Sequence, residues 1–160
     1  MELVDHIIKK FANTSQWNID YVKTPPYPNI ALDDFLPSET IMAMKQECDN
    51  LEWTREFTRN GSHMWERQDV NRCPVANGVK NALSSSKFLT WLGEVTGHPD
   101  LIPDPHMVGA GYMRCTRGDS LKLHSDFNFN NILKLYRMIS INIYLNEGWQ
   151  PEWNGDLQFW

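Results

Sequence analysis

Leu121-Lys122-Leu123-His124-Ser125-Asp126-Phe127-Asn128 is the stretch on which the reading of this chain turns. Leu121 and Leu123 alternate with Lys122, His124 and Asp126. Residues i and i+2 of a strand share a face, so a strand over 120–127 sends the imidazole of His124 and the carboxylate of Asp126 into the same space. One histidine and one carboxylate are two of the three protein ligands in the facial arrangement that holds non-haem Fe(II) and leaves positions open for oxygen chemistry. Alone, the triplet is a weak signal. A His-Asp hydrogen bond on a wet face is its ordinary alternative.

The surrounding residues add to it. Downstream come Tyr136-Arg137, Tyr144-Leu145-Asn146 and Gly155-Asp156-Leu157, and Gly118 stands six positions before His124. With His124-x-Asp126-Phe127-Asn128, these ordered motifs resemble the 2-oxoglutarate- and Fe(II)-dependent oxygenase superfamily, in its prolyl 4-hydroxylase-like branch. Upstream, the run from Pro26 to Pro37 is similar to the opening strand of that branch. The resemblance covers about residue 25 to the end of the chain.

That resemblance implies an α+β, mainly β fold: a double-stranded β-helix, or jelly roll, with supporting N-terminal helices. It implies Fe(II), 2-oxoglutarate and O2 as cofactors, with ascorbate as an auxiliary, and a peptide, protein or small-molecule substrate. His124 and Asp126 are the expected metal ligands. Farther along, Ser140, Asn142 and Tyr144 alternate with Ile139, Ile141 and Ile143. Buried polar side chains must find partners, so a polar strand face inside a small barrel points to a ligand. Ser140, Asn142 and Tyr144 are therefore candidates for the cosubstrate's carboxylates, and Tyr144 also matches a tyrosine that lies near the cosubstrate in relatives. A solvent-exposed face is the alternative, strongest for Ser140.

Two departures from the family pattern stand out. Relatives often carry a cosubstrate-binding tyrosine nine positions before the iron-binding histidine, where this chain has Cys115; either that contact is missing or another residue, such as Tyr112, supplies it. The family's distal histidine, and the basic residue after it, would follow the Gly155-Asp156-Leu157 segment, and the chain ends at Trp160. The expectation is therefore a single domain over 1–160, incomplete at its C-terminus. Residues 1–105 hold strands and support helices, and 106–160 the first part of the jelly roll. Two protein ligands should bind iron weakly and support little turnover. The competing reading is a non-catalytic jelly-roll binding module that has lost its metal.

Elsewhere the pattern predicts a short amphipathic start followed by a polar stretch over 1–20, and a strand over 29–35. A helix should start with Ser38 as its N-cap, with Ile41, Met44, Cys48 and Leu51 on one face. Strands at 53–57 and 64–70 flank Asn60-Gly61, a strong hairpin signal. A helical region over 75–95 breaks near Ser84-Ser85-Ser86 and stops at Gly97. Its apolar stripe is Phe88, Trp91, Leu92 and Val95. Strands are then expected at 106–115, 120–127, 136–146 and 155–160. Tryptophans default to core, although Trp149 and Trp153 flank a turn and are candidates for the rim of a cleft.

With 160 residues, 41% hydrophobic and 22% charged, the chain has the composition and length of one globular domain with a real core. A net charge of −5 gives no support to a nucleic-acid binder. Three widely spaced cysteines, Cys48, Cys73 and Cys115, argue against a disulfide framework and for a reducing compartment. No signal-like start or membrane-length apolar run is present, so a cytoplasmic location is expected.

Overall fold

The computed structural model describes residues 2–53, 57–59, 62–67, 70–108 and 110–159. Five α-helices dominate it: α1 (Leu3–Lys10), α2 (Thr14–Lys23), α3 (Ser38–Asp49), α4 (Pro74–Leu83) and α5 (Ser86–Thr96). Two small antiparallel sheets accompany them. The first has three strands in the order β1 (Phe57–Arg59), β2 (Ser62–Arg67), β3 (Tyr112–Arg114). The second is a two-stranded ribbon, β4 (Phe129–Asn130) with β5 (Leu135–Tyr136). No double-stranded β-helix is found among the described residues, so the jelly-roll expectation is corrected to a helical core with minor strands.

Helix ends follow local chemistry. The side chain of Asn13 accepts from the N–H of Gln16 to start α2, and that of Ser85 accepts from Phe88 N–H to start α5. Gly97 ends α5 at φ 76°, a left-handed conformation that glycine adopts without penalty. Pro37, not Ser38, occupies the cap position of α3. The break expected near Ser84-Ser85-Ser86 separates α4 from α5. The stretch read as polar before residue 20 is instead helix α2, docked through Asn18, whose amide donates to the Val95 carbonyl at 3.0 Å.

The core lies among the helices. Ile7, Phe88, Val95 and Cys73 are its most deeply buried side chains. Phe11, Phe35, Phe88 and Trp91 form an aromatic cluster with centroids 5.4–6.4 Å apart. Within it, Trp91 Nε1 donates to the Phe11 carbonyl at 3.1 Å, which satisfies a donor that burial would otherwise leave costly. Phe35 takes its place there from an irregular segment, not from the strand expected over 29–35.

The predicted hairpin is present in the pairing Phe57↔Met64, Thr58↔His63 and Arg59↔Ser62, while Asn60 and Gly61 lie outside the described residues. The later strands shrink sharply. Of 106–115 only Tyr112–Arg114 is strand, and of 120–127 only Ser120 forms a bridge, to His63. Of 136–146 only Tyr136 is strand, and none of 155–159 is. Alternation specifies two faces but not a partner, and a strand exists only where a neighbour completes its ladder. The alternation still shows in burial: Ile143 and Leu145 pack against the helical core, while Asn142, Tyr144 and Asn146 face solvent. Trp149 and Trp153 are exposed as well, so the core default fails for both.

Candidate metal centre

The site is built by the β4–β5 ribbon. The Asn130 side chain accepts from the backbone N–H groups of Ile132 and Leu133, and Lys134 closes the turn with φ 56°. The ladder Phe129↔Tyr136 and Asn130↔Leu135 extends one step through Arg137 N–H to the Asn128 carbonyl at 2.9 Å. That step fixes Arg137 opposite the end of the His124-Ser125-Asp126 segment.

His124 and Asp126 come together there without a strand beneath them. His124 Nε2 lies 3.4 Å from Asp126 Oδ1, and Arg137 Nη2 lies 3.2 Å from Asp126 Oδ2. His124 Nδ1 sits 2.7 Å from the Lys122 carbonyl. A carbonyl oxygen only accepts, so Nδ1 carries a proton and the other nitrogen faces the carboxylate. Arg137 Nε donates to Ser140 Oγ at 3.0 Å, and its guanidinium stands 4.9 Å from the centre of the Phe127 ring.

The orientation of His124 restricts what can occupy the gap. In neutral imidazole with Nδ1 protonated, Nε2 is an acceptor, and it would face a carboxylate oxygen, also an acceptor, at 3.4 Å. Two acceptors repel. At this exposed site the gap is satisfied by a proton on Nε2, giving an ion pair, by a water donating to both atoms, or by a metal cation shared by both. Ligands about 2.0–2.2 Å from one ion at right angles are roughly 3 Å apart, close to the separation found. Imidazole nitrogen and carboxylate oxygen also suit Fe(II) in kind.

The setting differs from the dry barrel pocket that was expected. His124 and Asp126 side chains are 46% and 58% exposed, so an ion pair between them contributes little stability, about 0–1 kcal/mol. Two surface hollows, about 610 and 320 Å³, are lined by other residues. Among the described residues no group of three or more His, Cys, Asp or Glu side chains is placed to hold a metal.

The remaining candidates divide. Ser140 reaches the cluster through Arg137, although residues three apart on the strand expected over 136–146 would lie on opposite faces. Asn142 and Tyr144 are exposed on the irregular segment beyond it. Tyr112 has a different occupation. It is buried, and its hydroxyl donates to Glu47 Oε2 at 2.8 Å. Burial first, and then that hydrogen bond, hold the phenol well above its ordinary pKa.

Sequence reading missed Glu47 altogether. From α3, its carboxylate accepts from Val75 N–H at 2.9 Å and Ala76 N–H at 3.0 Å, capping α4, while also receiving Tyr112. The signal available was indirect. The α4 cap position is Cys73, whose side chain makes no capping bond, so the first amides of α4 needed an acceptor from elsewhere. No helix among the described residues is long and apolar enough to cross a membrane. Comparison with known proteins matches the chain to no family model and to no curated protein.

Proposed function

We propose that this chain carries part of the centre of an Fe(II)- and 2-oxoglutarate-dependent dioxygenase that hydroxylates a peptidyl or small-molecule substrate. The helical core lends the reading no support from fold, and it rests on the ordered motifs and on one geometric observation. That observation is the approach of His124 Nε2 to Asp126 Oδ1 at 3.4 Å, with His124 Nδ1 turned to the Lys122 carbonyl. Bound iron with 2-oxoglutarate and O2 supplies oxidation of a C–H bond to an alcohol, the 2-oxoglutarate leaving as succinate and CO2.

The chain's own residues do the rest. His124 presents one nitrogen because the other is tied to backbone, and Asp126 presents one oxygen because the other is tied to Arg137. Ser140 is engaged by Arg137, which leaves the exposed Asn142 and Tyr144, of the three residues proposed for the cosubstrate's carboxylates, without that tie. A non-catalytic binding role is the second reading. It is favoured by the lack of a third metal-ligating side chain beside the pair among the described residues.

Anaerobic binding separates the two. On the dioxygenase reading, 2-oxoglutarate binds more tightly with Fe(II) present, and His124→Ala and Asp126→Ala each abolish that dependence. Metal-independent binding of 2-oxoglutarate, or metal dependence that survives both substitutions, would overturn it and leave the binding module.

A further inference from the structure

We propose that Arg137 is the positioning residue of the His124–Asp126 pair, holding the carboxylate so that one oxygen alone is offered to a cation; this rests on the metal-site reading above. Four contacts, one from the backbone of Arg137 and three from its guanidinium, converge on this arrangement. The backbone N–H bonds Asn128 in the ribbon ladder, Nε donates to Ser140 Oγ, Nη2 pairs with Asp126 Oδ2, and the guanidinium lies by the Phe127 ring. The fork is therefore fixed at its root and along its edge before it meets the carboxylate.

Two consequences follow. A carboxylate on an exposed loop would otherwise rotate freely, and pinning Oδ2 removes that freedom while leaving Oδ1 toward His124 Nε2. A guanidinium also carries a positive charge, which opposes a cation nearby. At a half-exposed site that repulsion is screened by water and salt. The order gained then outweighs it. Lysine cannot reproduce the arrangement, because a single ammonium lacks the planar fork that reaches Ser140 and Asp126 together.

The test uses the 160-residue chain with Co(II) as the probe, reading both affinity and the visible spectrum of the bound ion. Arg137→Gln should weaken Co(II) binding about tenfold, the low end of losses seen when a residue behind a metal ligand is removed. Its spectrum should shift, Arg137→Lys should recover part of the affinity, and Ser140→Ala should lose a few-fold. Unchanged or tighter binding in Arg137→Gln, with its helix content intact by circular dichroism, would make the guanidinium a competitor and overturn the proposal. A metal-free readout keeps the two ideas apart. The Arg137 Nε–H resonance should be protected from exchange, lose protection in Ser140→Ala and move in Asp126→Asn. Exchange like that of free arginine overturns the positioning role whatever the metal does. A protected Nε–H with no Co(II) uptake dependent on His124 and Asp126 overturns instead the metal-site reading.

Discussion

Replacing Glu47 with alanine should destabilise this protein substantially, although no sequence motif marks the residue. Its carboxylate joins three elements: it caps α4 through Val75 and Ala76, and it accepts the buried Tyr112 hydroxyl of β3. Loss of a helix-capping acceptor costs about 0.5–2 kcal/mol. Leaving a buried hydroxyl without a partner costs about 1–3 kcal/mol more. Glu47→Ala should therefore lose about 2–4 kcal/mol, a large fraction of the stability of an ordinary domain. Urea unfolding should show this as a lower midpoint with an unchanged slope. Tyr112→Phe removes the hydroxyl together with its need for a partner, so the double variant should be less damaged than the sum of the singles by about 1 kcal/mol. A loss under about 0.5 kcal/mol for Glu47→Ala, or strict additivity with Tyr112→Phe, would refute the shared role.

Tyr112 also carries a pH signature. Its phenol is held above the unfolded value of about 10, so the native state keeps a proton that the unfolded chain releases. This contribution is complete below about pH 10 and falls as pH rises, by up to about 1.4 kcal/mol per unit. Urea midpoints across that range should drop more steeply for the parent chain than for Tyr112→Phe, and parallel curves would contradict the assignment. Gly93→Ala should destabilise by about 1–3 kcal/mol, because an added Cβ would sit 2.8 Å from the His98 carbonyl and 3.2 Å from Pro99 Cα, both backbone. A melting temperature equal to that of the parent would show that the α5-to-loop approach is looser than described.

What the sequence made legible is local. The hairpin, the break between α4 and α5 and the Gly97 stop each depend on residues within a few positions of one another. What it concealed depends on distant partners. The alternation in 120–127 and 136–146 is real, and Ile143 and Leu145 do turn inward, yet alternation cannot say which neighbour will complete a ladder. Glu47 lies 28 residues from Val75 and 65 from Tyr112, so nothing local betrayed its role. Helix α2 escaped because it is mostly polar. Its usable clues were the Asn13 cap and the i, i+4 spacing of Trp17 and Tyr21. At the site, parity brought His124 and Asp126 together on a premise of strand that the backbone does not meet. It separated Arg137 from Ser140, which the backbone joins.

The most direct test of the central claim is paramagnetic broadening of backbone amide resonances by substoichiometric Mn(II), an ion with the charge of Fe(II) and an affinity for carboxylate oxygen. Signals from 122–128 and 137–140 should fade first, and Asp126→Ala should abolish that selectivity. Broadening centred on other carboxylates, or unchanged in Asp126→Ala, would show that His124 and Asp126 form an ordinary surface ion pair.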